Sequence, residues 1–69
     1  MYHGEYKDGL KEGYGYFKDP DSNEYDGQFK NDQLNGEGVY KEADTGRIDR
    51  ALYENHSIIE ILEVIKESF

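Results

Sequence analysis

Apolar and polar residues alternate at a spacing of two along the first part of the chain. In residues 1–7 the aromatic side chains and Gly4 fall on one face, and the charged and polar side chains fall on the other. Residues 13–18 alternate in the same way. The connection between them begins with the turn signal Asp8-Gly9 and is widened by residues 10–12. Two alternating runs joined by a glycine-containing loop predict a β-hairpin.

The same pattern of glycines and aromatics returns after 23 positions. Its correspondences are Tyr2 with Tyr25, Gly4 with Gly27, Tyr6 with Phe29, Gly13 with Gly36, Gly15 with Gly38 and Phe17 with Tyr40. A fixed period of this length is the mark of a repeat architecture. The second copy predicts strands over residues 24–30 and 36–41, joined by a loop over 31–35. Pro20, with Asp and Asn around it, predicts a turn between the two hairpins.

A third, partial copy is predicted to begin at residue 48 and to have decayed. The 23-residue register predicts an aromatic residue at 48, a glycine at 50 and an aromatic residue at 52, where the chain has Ile48, Arg50 and Leu52. Hydrophobicity is kept and the glycine is lost, which is typical of a terminal capping repeat. We therefore expect a fifth strand over residues 47–53.

The spacing of apolar residues changes in the last segment, over residues 56–69. Ser57 with Glu60 forms a capping box, which predicts the start of a helix. The apolar stripe at helical spacing consists of Ile58, Ile61, Leu62, Ile65 and Phe69. The sequence therefore predicts an amphipathic α-helix over residues 58–68.

Glycines inside the predicted strands call for an explanation, since glycine weakens a strand unless another group approaches the backbone closely. Gly4, Gly13 and Gly15 share a face with Tyr2, Tyr6 and Phe17. We infer that the rings lie across the bare backbone of neighbouring strands and fill a one-sided core.

Composition limits the function classes. A chain of 69 residues forms one domain at most and has no cysteine for disulfides. The formal charge of −8 argues against nucleic acid, and it disfavours an anionic membrane surface. No apolar run reaches the length of a membrane span, so we expect a cytoplasmic location.

Candidate chemistry is sparse. His3 and His56 are the only imidazoles, and neither has a Ser or Asp at a spacing that suggests a catalytic triad. Residues 19–23 copy the start of a calcium-binding EF-hand loop, but the required glycine and bidentate glutamate are replaced by Glu24 and Lys30. The sequence predicts no catalytic residue, no metal site and no cofactor.

The repeated phrase Tyr-x-Gly-x-Tyr/Phe-Lys followed by Gly-x-Gly-x-Tyr/Phe resembles the MORN repeat. The resemblance covers two copies, about 2–24 and 25–47, with a partial copy over 48–55. It implies a mainly β fold, a single-layer twisted antiparallel sheet of about five strands over residues 1–53, here followed by the C-terminal helix. It also implies ladders of Tyr6 with Phe29 and of Phe17 with Tyr40.

The resemblance implies a non-catalytic scaffold or interaction module, in a cytoskeletal or ciliary assembly. The predicted partner surface combines the aromatic face with the helix and consists of Tyr2, Tyr6, Phe17, Tyr25, Phe29, Tyr40, Ile58, Ile61, Leu62, Ile65 and Phe69. The expected occupant is a helix or peptide of a protein partner. Two alternatives stay open: a phosphoinositide or membrane-surface module, and a structural homodimer joined through the helix or an edge strand. The helix is expected either to cover its own sheet or to dock on another molecule.

Overall fold

A computed structural model describes residues 1–68 and places them in one antiparallel sheet of six strands. The strands are β1 (Tyr2–Lys7), β2 (Leu10–Lys18), β3 (Glu24–Lys30), β4 (Gln33–Lys41), β5 (Ile48–Glu54) and β6 (Ser57–Lys66). Each strand pairs with the next one in the sequence, so that β1 and β6 form the two edges. The described chain measures 38 by 24 by 14 Å. The smallest dimension fits a single layer, and the mainly β, antiparallel architecture agrees with the prediction.

Three two-residue turns close the three hairpins. Asp8–Gly9, Asn31–Asp32 and Asn55–His56 all have positive φ at both positions. This backbone conformation is that of a type I′ turn, whose twist matches the right-handed twist of the flanking strands. The connections predicted over residues 10–12 and 31–35 were too long, because β2 and β4 begin directly after their turns.

The C-terminal helix predicted over residues 58–68 is wrong, because this segment forms strand β6. Asn55 and His56 turn the chain back, and residues 57–66 pair antiparallel with β5. Ile and Val favour a half-buried pleated surface, and helix propensity is readily overridden by tertiary pairing. Without β6, the backbone groups along the outer side of β5 would lack partners in the sheet.

An irregular register in β6 explains why its sequence looks helical. Three bulges interrupt the pairing, so that Ile58, Ile61 and Val64 oppose the successive odd-numbered residues 53, 51 and 49 of β5. Every third residue of β6 therefore returns to the same face. A three-residue spacing of apolar side chains is expected from a helix, and here a bulged strand produces it.

The third repeat is shifted by one residue from the predicted register. Gly27 pairs with Gly15, and Ala51 pairs with Gly38. The equivalent of Gly27 is therefore Ala51, 24 residues later, and not Arg50. Because the extra residue lies before β5, Asp49 and Tyr53 take the places of Tyr25 and Phe29 in the third hairpin.

Two glycines serve a purpose different from the predicted one. Gly13 and Gly36 have positive φ and lie in bulges of β2 and β4. At each bulge a side chain of the preceding strand accepts a hydrogen bond from a backbone N–H: Glu5 from Tyr14 at 3.0 Å, and Gln28 from Glu37 at 2.8 Å. These glycines therefore permit a backbone conformation, whereas the close approach of a ring is found at other glycines.

Candidate protein-binding surface

One face of the sheet carries the hydrophobic core. Its buried residues are Tyr25, Phe29, Leu34, Ala51 and Tyr53, and Tyr2, Phe17 and Tyr40 pack around them while partly exposed. The second hairpin lies in the middle of the sheet and contributes three of the five buried side chains. We call this side of the sheet the aromatic face.

Edge-to-face ring contacts run across all three hairpins. Ring centroids lie 5.1 Å apart for Tyr6 and Tyr2, 5.2 Å for Tyr2 and Phe29, 5.1 Å for Phe29 and Tyr25, and 5.3 Å for Tyr25 and Tyr53. Such pairs contribute about 0.5–1.5 kcal/mol each beyond the area they bury. The contacts form one continuous row, which differs from the separate ladders of Tyr6 with Phe29 and Phe17 with Tyr40 that the resemblance implied.

Two tyrosine rings lie across glycine backbone, as inferred from the sequence. The Tyr2 ring covers Gly15, and the Tyr25 ring covers Gly38 so closely that no Cβ fits between them. Each hydroxyl reaches past the glycine and donates to a carbonyl oxygen three residues later: Tyr2 to Glu5 at 2.7 Å and Tyr25 to Gln28 at 2.8 Å. The ring, the glycine and this hydrogen bond form one unit that recurs in both repeats.

A groove of about 200 Å³ opens on the aromatic face. Its lining includes the buried side chains of Tyr25, Phe29 and Leu34 together with the partly exposed rings of Phe17 and Tyr40. Tyr25 is only 1% exposed, whereas Tyr6, near the β1 edge, is 61% exposed. The predicted partner-binding aromatics therefore divide into a buried base and an accessible rim.

Charged side chains also line this groove. Lys11 lies over the rings of Tyr2 and Phe17, at 5.4 and 5.7 Å from their centroids, and its ammonium lies 3.8 Å from Asp32. Asp19 contributes a further carboxylate. The groove is therefore apolar at its base and mostly acidic around it, and Lys11 is already paired.

The turns at one end of the groove are fastened to the preceding hairpin. The Asp32 N–H donates to the Lys11 carbonyl at 3.1 Å, and the Asp32 carboxylate accepts from the Lys11 N–H at 2.7 Å. His56 repeats this arrangement with Leu34, at 3.0 Å for its N–H and 3.4 Å for its Nδ1. Nothing in the repeat pattern indicated this pair of hydrogen bonds, because Asp32 aligns with Gly9, which has no side chain.

Burial changes the ionisation of the aromatic face. It raises the pKa of Tyr25 far above its ordinary value and raises the pKa of Tyr53 to about 12. The pKa of Tyr40 is also raised, first by burial and then by the negative charges of Asp19 and Glu42. These hydroxyls remain protonated at neutral pH, so the base of the groove is uncharged.

The predicted helical stripe does not form a second surface opposite the sheet. Ile58 and Ile61 lie on the aromatic face of β6, opposite Tyr53 and Ala51. Leu62 and Ile65 fall at bulges of the same strand. Phe69, the last residue of the predicted stripe, lies outside the described residues.

The opposite face of the sheet is polar and ion-paired. Arg50 lies between two carboxylates, 3.0 Å from Glu37 and 3.4 Å from Glu63. Tyr16 donates to the Glu24 carboxylate at 2.6 Å, and this hydrogen bond raises the pKa of Tyr16 and lowers that of Glu24. We call this side the polar face.

Two further features are absent from residues 1–68. No group of three or more His, Cys, Asp or Glu side chains in this part of the chain has the arrangement needed to hold a metal ion. None of these residues belongs to a helix with the length and hydrophobicity required to cross a membrane.

Comparison with known families identifies the repeated unit. The family model of the MORN repeat matches residues 2–24 and 25–46, which together make up more than half of the chain. These ranges contain the first two hairpins and the ring-on-glycine units of Tyr2 and Tyr25, so the resemblance seen in the sequence is confirmed. A search of curated proteins finds no match.

Proposed function

The chain belongs to the MORN-repeat family, and from this premise we propose that it is a non-catalytic module that binds a protein partner on its aromatic face. The observation that carries the proposal is the groove of about 200 Å³, with an apolar base and accessible aromatic rims. A cytoskeletal or ciliary assembly is the setting we propose, and it rests on the resemblance to MORN-repeat scaffolds alone.

The shape of the face supports a helix or peptide as the occupant. The sheet is a single layer, and the described residues outside its strands are turns and chain ends. A sheet packs its apolar face against another element in stable domains, and a peptide or an amphipathic helix is a common occupant of such a groove. Rigid aromatic side chains at the rim are the residue type most often found to carry binding energy in interfaces.

The chemistry of the groove specifies the occupant further. Its base takes apolar side chains, because Tyr25 and Phe29 present ring surface and Leu34 presents aliphatic surface. The carboxylates of Asp19 and Asp32, which line the groove, favour Lys or Arg at the flanks of the bound segment. The proposed partner segment is therefore apolar in its middle and basic at its ends.

The test compares two faces of the same sheet. Tyr6→Ser and Tyr40→Ser each remove an accessible ring from the aromatic face, and Tyr14→Ser removes a similarly exposed ring elsewhere on the sheet, 66% exposed in the full chain. Proteins that co-purify with the full chain from cell extract are quantified for each variant, after circular dichroism has confirmed folding. The partner's recovery should fall roughly tenfold or more with the first two variants and stay unchanged with the third.

Two results would contradict the proposal. Loss of the partner with Tyr14→Ser, but not with Tyr6→Ser or Tyr40→Ser, would place the partner on the other side of the sheet. A membrane-surface module would be favoured instead by two results together: the wild-type chain floats with anionic vesicles in a salt-sensitive way, and no co-purifying protein is lost with Tyr6→Ser or Tyr40→Ser.

A further inference from the structure

Strand β6 carries more exposed large hydrophobic side chains than any other strand among the described residues. Ile58, Ile59, Ile61, Val64 and Ile65 are each 41 to 58% exposed. β6 is also an edge of the sheet, since β5 is its only partner within residues 1–68. Its backbone N–H and C=O groups on the far side therefore form a row open to another strand.

The opposite edge shows what a protected strand looks like. β1 alternates His3, Glu5 and Lys7 with its aromatic residues, and it includes Gly4. Charged side chains and a short strand are ordinary means of discouraging strand-to-strand association. In β6, by contrast, six of ten residues are Ile, Leu or Val, and none is Pro or Gly.

The bulges of β6 do not supply the missing protection. They leave Ile59, Leu62 and Ile65 as the residues without a partner position on β5. A bulge discourages pairing by bending and twisting the strand locally. The unpaired residues at these bulges are apolar, and Ile59 and Ile65 are 58 and 51% exposed.

The charges on the polar face indicate what kind of strand fits. Across β4, β5 and β6, Glu37, Arg50 and Glu63 form one row that alternates in sign, at 3.0 and 3.4 Å. The next strand in this row would bring its side chain beside Glu63. Glu60 lies one step further along the same face of β6, opposite Leu52. Both positions favour a cation on the incoming strand, because opposite charges across a strand pair stabilise it.

A second copy of this chain is a poor match for the edge. Centred antiparallel pairing of two β6 strands would set Glu60 of one copy against Glu63 of the other, twice. Like charges directly opposite each other destabilise a strand pair. Each copy also carries a formal charge of −8, which adds a long-range repulsion.

We propose that the open edge of β6 is a strand-addition site for an extended, basic segment of a partner protein. The segment alternates β-branched apolar residues, which face Ile58, Ile61 and Val64, with Lys or Arg residues, which face Glu60 and Glu63. This site is separate from the aromatic groove and does not depend on what occupies that groove.

The probe is a fluorescein-labelled ten-residue peptide that alternates valine with lysine. Its controls are the same composition in scrambled order and a peptide that alternates valine with glutamate. Fluorescence anisotropy measures affinity for the full chain, and backbone amide NMR shifts locate the bound peptide. We expect the alternating lysine peptide to bind at least about tenfold tighter than either control, with the largest shifts in β5 and β6.

Four variants sharpen the test. Ile59→Lys and Ile65→Lys place a charge on the open edge and should abolish binding, whereas Tyr14→Lys adds the same charge to an interior strand and should leave it unchanged. Glu60→Lys should weaken the lysine peptide roughly threefold to tenfold and improve binding of the glutamate peptide.

The proposal is overturned by any of three outcomes: no binding of the lysine peptide, equal binding of the scrambled peptide, or a wild-type dimer that Ile59→Lys converts to monomer. The last outcome would assign the edge to a second copy. Shifts confined to β1 would equally rule out β6 as the site.

Discussion

The contact between the Tyr25 ring and Gly38 yields the sharpest test of the fold. In Gly38→Ala the new Cβ would overlap three atoms of the Tyr25 side chain, two in the ring and the hydroxyl oxygen. Tyr25 is 1% exposed and contacts the rings of Phe29 and Tyr53, so it has little room to withdraw. The change therefore forces a well-packed residue out of place.

The cost has two parts. Overpacking of a core costs about 1–3 kcal/mol. A displaced ring also loses the hydrogen bond from the Tyr25 hydroxyl to the Gln28 carbonyl, which contributes about 1 kcal/mol. We expect Gly38→Ala to lower the free energy of unfolding by about 2–4 kcal/mol. A domain of this size has roughly 3–10 kcal/mol in total, so much of its stability would be lost.

Urea denaturation followed by circular dichroism measures the effect, with two matched glycine variants for comparison. Gly9→Ala tests backbone conformation alone, because no atom lies within 4 Å of its new Cβ and φ is +80°. Gly9→Ala should lower the free energy of unfolding by about 1 kcal/mol. The effect is small because Asp32 and His56 show that residues with a Cβ can adopt positive φ at the equivalent turn position. Gly15→Ala should be intermediate, because the Tyr2 ring that it meets is partly exposed and has room to move.

A double-mutant cycle completes the argument. Tyr25→Phe removes the hydroxyl, one of the three overlapping atoms, so the Gly38→Ala cost should be smaller in that background. If Gly38→Ala and Gly9→Ala differ by less than about 0.5 kcal/mol, the ring does not rest on the glycine and the reasoning is refuted.

Three further predictions follow from the same structure. The folded-state pKa values of Tyr25 and Tyr53 are raised, to about 12 for Tyr53, so the stability they contribute is complete below pH 10 and is lost as the pH rises through 12. In an alkaline titration, unfolding measured by circular dichroism and ionisation measured by tyrosinate absorbance should occur together. Full ionisation of all tyrosines in a chain that is still folded would contradict this prediction. Asp32→Ala leaves the Lys11 N–H without its acceptor and should lower the free energy of unfolding, measured in urea, by about 1 kcal/mol. Asp32→Asn keeps an acceptor oxygen and should lower it by less. Equal losses of stability would refute the role of the hydrogen bond. Backbone chemical shifts of residues 57–66 should be those of a strand, and helical values would refute the assignment of β6.

The first two hairpins show how much the sequence determines locally. Glycines and aromatic residues recur at fixed offsets. This pattern specifies the alternation of each strand, and it also specifies which aromatic ring lies against the backbone of a glycine. Tyr2 over Gly15 and Tyr25 over Gly38 realise this pattern. The same residues carried the family resemblance, so the fold of residues 2–46 and the aromatic candidate site were predictable together.

The third hairpin shows where prediction of strand register from the local sequence pattern fails. One additional residue before β5 moves Ala51 and Tyr53 into the places expected for residues 50 and 52. A one-residue slip reverses every side chain of a strand, so a small error in length exchanged the core face for the polar face. Asn55-His56 forms the turn that begins β6, and the capping box of Ser57 with Glu60 predicted the start of a helix there instead.

The sequence by itself determined the repeating unit, the sign of the charge and the aromatic composition of one face, because these depend on neighbours in the chain and on a fixed period. Only the tertiary structure decided the state of residues 57–66, the division of the aromatics into base and rim, and the exposure of β6. These features depend on residues distant in sequence. The edge of β5 supplies hydrogen-bond partners and an apolar surface, and residues 57–66 therefore form a strand although their apolar spacing equally fits a helix.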